Sequence, residues 1–233
     1  MPNYLFPPPP IAAAAIQGTE ALFPIRRIFC VGRNYEAHAR EVGTRVDRET
    51  PFFFTKSAHS YVPSGATVAY PPGTANYHYE LEWVAAIGRS AFQIDADGAL
   101  DAVLGYACGL DMTRRDLQSV ARERSLPWDL SKDFESSAVL SPIRLAAPNE
   151  HRDRGAIELR VNGATRQRAD IGQLIHPLPA LIAYLSRYYH LLPGDLIYTG
   201  TPAGVGPLQA GDRLVGSIEG VGEIALTIGP AER

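Results

Sequence analysis

The sequence predicts a mainly β domain of the α+β class, and three observations support that fold class. Short β-branched segments that are bounded by glycine or proline recur along the chain. Only two or three segments have the composition of helices, which is typical of an α+β arrangement. The 233 residues suffice for one substantial domain, and no repeat or linker divides them. We therefore expect a single domain over residues 22–233 after an extended arm over residues 1–21, whose prolines at 7–10 favour an extended chain.

The first half of the chain predicts several short strands around one helix. A β-prone run at 27–32 ends at a glycine, residues 34–42 have a helix-like composition, and residues 51–56 are again β-prone. A turn-rich segment between Tyr70 and Tyr77 then separates two further strands.

In the second half, a buried strand at 104–112 is followed by a predicted helix. Thr113 and Asp116 have the spacing of a capping box, so we expect this helix to begin at Thr113 and to end near Arg124. The later segments are β-branched, apart from one more predicted helix at about 179–189. The predicted strands among them are 157–161, 195–199, 213–218 and 223–228.

Composition and charge argue against several classes of protein. Hydrophobic residues make up 45% and charged residues 20%, as in ordinary globular proteins. The net charge of -3 and the lack of a basic run argue against nucleic acid as a partner. No apolar stretch approaches the ~20 residues that span a membrane, and no signal peptide is recognisable. Cys30 and Cys108 lie among apolar neighbours, so we expect two buried free thiols in a cytoplasmic protein.

The most informative stretch is the predicted strand over residues 77–88. Alternate residues of a strand share a face, so one face is apolar: Tyr77, Tyr79, Leu81, Trp83 and Ile87. The opposite face begins with His78, Glu80 and Glu82 and continues with Val84 and Ala86. Two carboxylates this close resist joint ionisation unless a cation neutralises them. By themselves, the two glutamates fit a solvated strand end equally well.

A third carboxylate favours a metal site over a solvated strand end. Asp111 lies in the apolar strand at 104–112, where an acidic residue is out of place unless it is paired or bound to a metal. Three carboxylates without neighbouring cysteines suit a hard cation with oxygen ligands. We therefore expect one divalent cation, with Mg²⁺ as the best fit and Mn²⁺ or Ca²⁺ as alternatives.

Four motifs, taken in their order along the chain, resemble the fumarylacetoacetate hydrolase family. They are the Glu-x-Glu of the strand, Gly-Leu-Asp-Met-Thr-Arg-Arg-Asp-Leu-Gln around Asp111, Tyr-Thr-Gly-Thr-Pro-Ala-Gly-Val-Gly at 198–206, and Cys-Val-Gly-Arg-Asn-Tyr-Glu-Ala-His-Ala-Arg-Glu at 30–41. The resemblance covers about residues 22–228. It implies a mixed β-sheet roll, a homodimer and one divalent metal in each site.

The resemblance also implies a role for individual residues. The metal ligands of the family correspond to Glu80, Glu82 and Asp111. Its catalytic histidine and glutamate correspond to His38 and Glu41, on a segment that orders over the substrate, and its active-site lysine corresponds to Lys132. The positions that border the substrate pocket correspond to Arg115, Gln118 and Thr201.

The family resemblance predicts hydrolysis of a carbon–carbon bond in a 2,4-diketo acid. The combination with Phe-Phe-Phe-Thr-Lys at 52–56 and the proline-rich start is most similar to the branch that cleaves fumarylpyruvate in gentisate breakdown. The far carboxylate of that substrate needs a cation when it is buried, and we expect Arg33 or Arg115 to supply it.

Other interpretations stay open at this stage. A general acylpyruvase, a 2-oxo acid decarboxylase, an isomerase or a hydratase would use the same kind of site, and a calcium-stabilised binding module would use the carboxylates alone. Without the resemblance, His38 would be a surface histidine, Lys132 a loop lysine, and the arginines from 114 to 124 a solvated helix face. The chain also departs from the family pattern, with Ser57 in place of the usual proline, His78-Tyr79 in place of His-His, and Asp133 and Glu135 after the lysine.

Overall fold

The computed structural model describes residues 3–147 and 150–232. Its helices are α1 (Glu36–Glu41), α2 (Arg115–Glu123), α3 (Asp129–Lys132) and α4 (Leu178–Ser186). Its strands are β1 (Ala13–Ala15), β2 (Leu22–Pro24), β3 (Arg27–Gly32), β4 (Phe52–Lys56), β5 (Tyr61–Pro63), β6 (Thr67–Tyr70), β7 (Tyr77–His78), β8 (Leu81–Ile87), β9 (Val103–Asp111), β10 (Thr113–Arg114), β11 (Ala138–Leu140), β12 (Arg144–Leu145), β13 (Ala156–Val161), β14 (Ala164–Asp170), β15 (Asp195–Tyr198), β16 (Arg213–Ile218) and β17 (Gly222–Ala231).

The described strands form two main sheets and two short pairs. The larger sheet has eight strands in the order β4-β3-β15-β8-β9-β11-β5, with β12 beside β9, and the smaller one has five in the order β14-β13-β16-β17-β6. Parallel neighbours (β15 with β3, β11 with β5, β17 with β6) lie among antiparallel ones, so both sheets are mixed. The predicted mainly β fold with a mixed sheet is confirmed.

The two faces of the larger sheet are covered by separate apolar clusters. In β8, Trp83 and Ile87 belong to one cluster, whereas Val84 and Ala86 belong to the other. The alternation along this strand therefore has the predicted period of two. Because both faces are covered, β8 is buried along its whole length, and the same holds for the end of β9.

The capping box predicted at Thr113 is wrong. Thr113 lies in β10, and α2 begins at Arg115 without a side-chain cap. The Asp116 carboxylate instead accepts hydrogen bonds from the Thr74 hydroxyl at 2.6 Å and the Ala75 amide at 2.9 Å. The loop at Thr74 and Ala75, distant in sequence, thus takes the Asp116 carboxylate that the local spacing had assigned to the N-terminal cap of α2.

The other predicted elements agree with the structure apart from their ends. The predicted strand at 77–88 is divided into β7 and β8 by residues 79 and 80, and the helix predicted at 179–189 is α4, Leu178–Ser186. The boundary at residue 22 stays a prediction, although Ala13–Ala15 of the expected arm pair with Leu22–Pro24. Among the described residues, no helix is long and apolar enough to cross a bilayer.

Both cysteines are buried free thiols, as predicted. Burial raises the pKa of Cys108 to about 12, and burial together with the charge of Asp111 raises that of Cys30 well above its usual value. Neither thiol therefore forms a reactive thiolate at neutral pH.

The contact between β8, β9 and β15 leads to a prediction about stability. A methyl group added at Gly109 would overlap with Val84 and Tyr198, whereas one added at Gly98 would meet nothing within 4 Å. Because overpacking a buried site typically costs about 1–3 kcal/mol, Gly109→Ala should lower the free energy of unfolding by that amount. Urea denaturation of both variants measures this, and equal stability of Gly109→Ala and Gly98→Ala would contradict it.

Candidate active site and metal centre

The predicted site residues meet at one edge of the larger sheet. β3 and β15 are parallel and end at this edge, whereas β8, which is antiparallel to β15 and β9, begins there. Asp111 closes β9, and its amide donates to the Glu80 carbonyl at 2.9 Å. One cavity at this edge is lined by all the predicted site residues except Glu41: Arg33, His38, Glu80, Glu82, Asp111, Arg115, Gln118, Lys132 and Thr201.

Three carboxylates form a buried cluster at the floor of the cavity. Glu80, Glu82 and Asp111 are 4%, 1% and 1% exposed, so bulk water does not solvate their charges. Each offers one oxygen, and these three oxygens lie within 4.8 Å of one another. Two oxygens bound to one divalent cation lie no more than about 4–5 Å apart. The spacing therefore fits a single cation held by all three side chains.

Two buried ammonium groups contact the same cluster. Lys132 Nζ lies 2.7 Å from Glu80 Oε2, 2.7 Å from Asp111 Oδ2 and 2.7 Å from the Thr113 hydroxyl. Lys56 Nζ lies 2.9 Å from Asp111 Oδ1 and also donates to the Lys132 carbonyl. Asp111 is thus held between two positive charges, one at each carboxylate oxygen.

The charges of the cluster shift the pKa values of its two glutamates in opposite directions. Burial raises the pKa of Glu80, but the positive charges of Lys132 and Arg115 outweigh burial and hold it well below its usual value. Burial raises the pKa of Glu82 well above its usual value, and the charges of Asp111 and Glu80 raise it further. A bound cation would stabilise the ionised form of Glu82, which burial and the neighbouring carboxylates disfavour. The donor set therefore fits a hard divalent metal.

Arg115 is a fixed part of the floor. Its guanidinium donates to Glu80 and Gln118 and approaches His78 Nδ1 at 3.4 Å. Burial and the charge of Arg115 lower the pKa of His78 to about 4, so this imidazole is neutral, and its Nε2 lies 2.8 Å from Asn76 Oδ1. Arg115 is therefore occupied by protein groups, and Gln118 is positioned by it.

His38 and Glu41 form a pair on α1. His38 is 6% exposed, and its Nδ1 lies 3.2 Å from Glu41 Oε2. Glu41 Oε1 accepts the Gly204 amide at 3.0 Å. Burial raises the pKa of Glu41, but the bonds from His38 and Gly204 outweigh it and lower the pKa below its usual value. In the tautomer whose Nδ1 carries the hydrogen, the ionised Glu41 accepts that N–H and Nε2 carries the lone pair of the ring.

The loop after β15 connects this pair to the carboxylates. The Gly200 amide donates to Glu82 Oε2 at 2.8 Å, four residues before the Gly204 amide that contacts Glu41. The Thr201 hydroxyl donates to the Leu81 carbonyl at 2.8 Å. Gly200 has φ +103, and a side chain there would overlap with Asn34, so only glycine fits this turn.

Arg33 lies on the wall between β3 and α1. Its backbone has φ 60, in the left-handed region that non-glycine residues seldom adopt. Its guanidinium lies 5.4 Å from the ring centre of Phe52 and 6.0 Å from that of Trp128. Arg33 Nε is buried without a hydrogen-bond partner among the described residues. Unlike Arg115, Arg33 is available to a ligand.

Two of the departures from the family pattern contact each other. Asp133 Oδ1 accepts a hydrogen bond from the Ser57 amide at 2.8 Å, a bond that a proline at position 57 could not donate. The charge of Asp133 is thus partnered by the backbone. Burial lowers the pKa of Lys132, and the charges of Asp111 and Glu80 more than offset this and raise it.

The sequence analysis missed three residues that support the site. Lys56 lies inside a quoted motif but received no role, although an isolated lysine after three phenylalanines is a signal of a buried charge. Gln167, completely buried in β14, donates to the Thr201 hydroxyl and the Pro202 carbonyl and accepts the Leu81 amide. Asn34 donates to the Thr199 carbonyl at 2.8 Å. For Gln167 and Asn34, no local pattern distinguishes them from surface amides.

Comparisons with known proteins identify relatives of the chain. The family model for fumarylacetoacetate (FAA) hydrolase C-terminal matches residues 27–229. The chain is 54% identical over 193 residues to a fumarylpyruvate hydrolase of Ralstonia sp., with 82% of this chain and 100% of that protein covered. It is 38% identical over 198 residues to a mitochondrial oxaloacetate tautomerase of Homo sapiens, with 84% and 88% covered.

A solved structure extends the likeness to three dimensions. The fumarylpyruvate hydrolase of Pseudomonas aeruginosa, crystallised in complex with Mn²⁺ and pyruvate, superposes with a TM-score of 0.94 at 48% identity. The match covers 98% of this chain and 100% of that one. The cavity described above therefore lies in a fold that is shared almost from end to end.

The carboxylate cluster leads to a prediction about metal binding. Glu82→Gln removes one negative charge but keeps an oxygen that can accept the Gly200 amide, so the fold should persist. We expect the affinity for Mn²⁺ to fall at least about tenfold, because the cation loses a charged ligand. Titration calorimetry on metal-free protein measures this, with Glu123→Gln on the exposed side of α2 as the matched control. Equal Mn²⁺ affinity in both variants would show that Glu82 is not a ligand.

Proposed function

The chain belongs to the fumarylacetoacetate hydrolase family, and from this premise we propose that it is a hydrolase that cleaves the carbon–carbon bond of a 2,4-diketo acid. We propose fumarylpyruvate as the substrate and fumarate and pyruvate as the products. The observation that carries the proposal is that His38 lies on the same cavity as the three carboxylates and Lys132. Hydrolysis needs a base for water and a place for the negative charge of the departing pyruvate, and these groups supply both.

His38 and Glu41 are proposed to activate the water. Glu41 holds the Nδ1–H of the imidazole, so that Nε2 faces the reaction as a base. When Nε2 takes a proton from water, the ionised glutamate stabilises the imidazolium that forms. Because the Gly204 amide also contacts Glu41, the backbone fixes the orientation of the pair. The water can then attack the acyl carbonyl of the substrate.

The floor of the cavity is proposed to hold the pyruvyl half. Lys132 places a fixed positive charge beside Glu80 and Asp111, where negative charge develops on the departing pyruvate. Gln118 and Thr201 border the same space and offer polar groups to the substrate. A divalent cation held by Glu80, Glu82 and Asp111 would supply Lewis acidity for this charge. We propose Mg²⁺ as the native ion, with Mn²⁺ or Ca²⁺ as alternatives.

Two further features are proposed from the family resemblance. We propose that the protein is a homodimer that acts in the cytoplasm on a small-molecule substrate, without a nucleic acid or a membrane as a partner. We also propose that the segment carrying His38 closes over the substrate, which would exclude bulk water during the reaction.

The proposed base can be tested by replacing His38. His38→Ala should lower kcat by roughly 10²–10⁴, the usual effect of losing a general base, and should keep the affinity for Mn²⁺. Glu41→Gln should act in the same direction, because the imidazole loses the acceptor that orients it. Steady-state kinetics of pyruvate release measure both effects, and exposed His59 provides the control variant His59→Ala. Wild-type rates in His38→Ala would make this residue a structural histidine.

The proposed substrate can be tested through its far carboxylate. Sequence analysis left Arg33 and Arg115 as candidates, and the contacts favour Arg33, because Arg115 is bonded to Glu80 and Gln118. The kcat/KM for fumarylpyruvate should therefore be about a hundredfold or more above that for acetylpyruvate, since the methyl group of acetylpyruvate cannot pair with an arginine. Arg33→Gln should remove most of that preference.

The outcome also separates the alternatives within the family. Equal kcat/KM for fumarylpyruvate and acetylpyruvate would indicate a general acylpyruvase. The likeness to an oxaloacetate tautomerase favours a 2-oxo acid isomerase or decarboxylase as the second candidate. Faster enol–keto exchange or CO₂ release from oxaloacetate than pyruvate release from fumarylpyruvate would support that candidate.

A further inference from the structure

Two arginines on the wall of the cavity lack a carboxylate partner. Arg33 and Arg122 both line the cavity, together with Val42 and Trp128. Within residues 3–147 and 150–232, neither forms an ion pair with an aspartate or glutamate, whereas Arg115 on the floor is paired with Glu80. Burial lowers the pKa of Arg33, and the positive charge of Arg122 lowers it further. Two like charges held near each other without an anion are unfavourable unless a ligand supplies one.

The polar contacts of this wall leave donors free. Arg122 Nη1 donates to the Val42 carbonyl at 3.0 Å, where α1 ends. A guanidinium has five N–H donors, so one such bond leaves Arg122 able to bind a carboxylate as well. Arg33 Nε is buried without a described partner, and the left-handed backbone of Arg33 is a strained conformation of the kind found at ligand sites.

The same wall carries flat aromatic groups. Trp128 lines the cavity and packs edge to face against Phe52, which is outside the cavity lining, with ring centres 4.9 Å apart. The Arg33 guanidinium lies over both rings. Phe54 also lines the cavity and lies 5.6 Å from Trp128. An arginine that stacks on aromatic rings loses little freedom when it binds an anion, because its plane is already oriented. The wall therefore suits a planar acid rather than a compact ion.

We propose that Arg122 is a specificity-determining residue, and that it forms with Arg33 a two-arginine subsite for the far carboxylate of a planar, unsaturated acyl group. The inference rests on the proposed function, because that carboxylate belongs to the acyl half of the diketo acid. It assigns the acyl half to the wall formed by β3, β4 and α2, and leaves the pyruvyl half to the floor. Arg122 also joins this subsite to the end of α1, which carries His38.

The test compares two substrates in matched variants of α2. Arg122→Gln should lower kcat/KM for fumarylpyruvate by about tenfold or more, the usual effect of losing a charged hydrogen bond, and leave acetylpyruvate within about twofold of wild type. Arg122→Lys should recover part of the loss, because lysine keeps the positive charge but cannot bind a carboxylate through two parallel N–H donors. Arg124→Gln, at the exposed C-terminal end of α2, should change neither substrate.

Two further measurements separate a subsite from a structural role. If both arginines hold one carboxylate, the loss in Arg33→Gln/Arg122→Gln should be smaller than the product of the single losses. Fumarate should bind the metal-loaded wild type more tightly than Arg122→Gln by calorimetry, whereas pyruvate should bind both equally. An equal loss for both substrates in Arg122→Gln would overturn the inference and leave only the bond to Val42. A wild type that cleaves neither substrate would overturn the proposed function itself.

Discussion

The pairing of Asp111 with two buried lysines is the constraint on which the site depends. A buried carboxylate without partners costs several kcal/mol, so Asp111 can close an apolar strand only where positive charges meet it. Lys56 arrives from β4 and Lys132 from α3, each at a different oxygen. Lys56 also donates to the Lys132 carbonyl and so connects β4 to α3. This ion cluster fixes β4, β9 and α3 around one point, and the cavity opens directly above it.

The second organising feature is the loop after β15. Its backbone contacts Glu82, in the carboxylate cluster, and Glu41, the partner of His38. The Gly200 amide holds Glu82 in the cluster, and the Gly204 amide holds Glu41 beside the imidazole. Gln167 fixes the same loop from the smaller sheet, since its amide bonds the Thr201 hydroxyl and the Leu81 backbone. A displacement of the loop would therefore move the proposed base and the proposed metal ligand together, which gives the smaller sheet a structural role in the chemistry.

Sequence patterns predicted the strands and the three carboxylates of the floor, because both depend on local order, whereas the role of Lys132 was implied only by the family resemblance. Alternation along residues 77–88 placed Glu80 and Glu82 on one face, and the apolar run around Asp111 marked it as a buried acid. Contacts between distant segments could not be predicted in this way. Asp116 fits a capping box by spacing, yet its carboxylate is taken by Thr74 and Ala75, a loop some forty residues earlier. Arg122 belongs to the arginines at 114–124, whose pattern is typical of a solvated helix face. Only its position on the cavity distinguishes it from Arg124.

The floor and the wall of the cavity differ in how their charges are balanced, and this difference is the basis of their separate proposed roles. On the floor, Glu80 and Asp111 are paired with lysine and arginine side chains and Glu82 accepts a backbone amide, so the protein holds this part in place for the proposed divalent cation and pyruvyl group. On the wall, Arg33 and Arg122 have no protein carboxylate within the described residues, so a ligand must complete them. A floor whose charges are balanced by the protein suits the reaction steps that many substrates share. A wall whose arginines lack a carboxylate partner suits the recognition of one particular acyl group. Neither Arg33 nor Arg122 is paired with Asp111 or its lysines, so substitutions of these two arginines can alter the substrate without removing a member of the ion cluster.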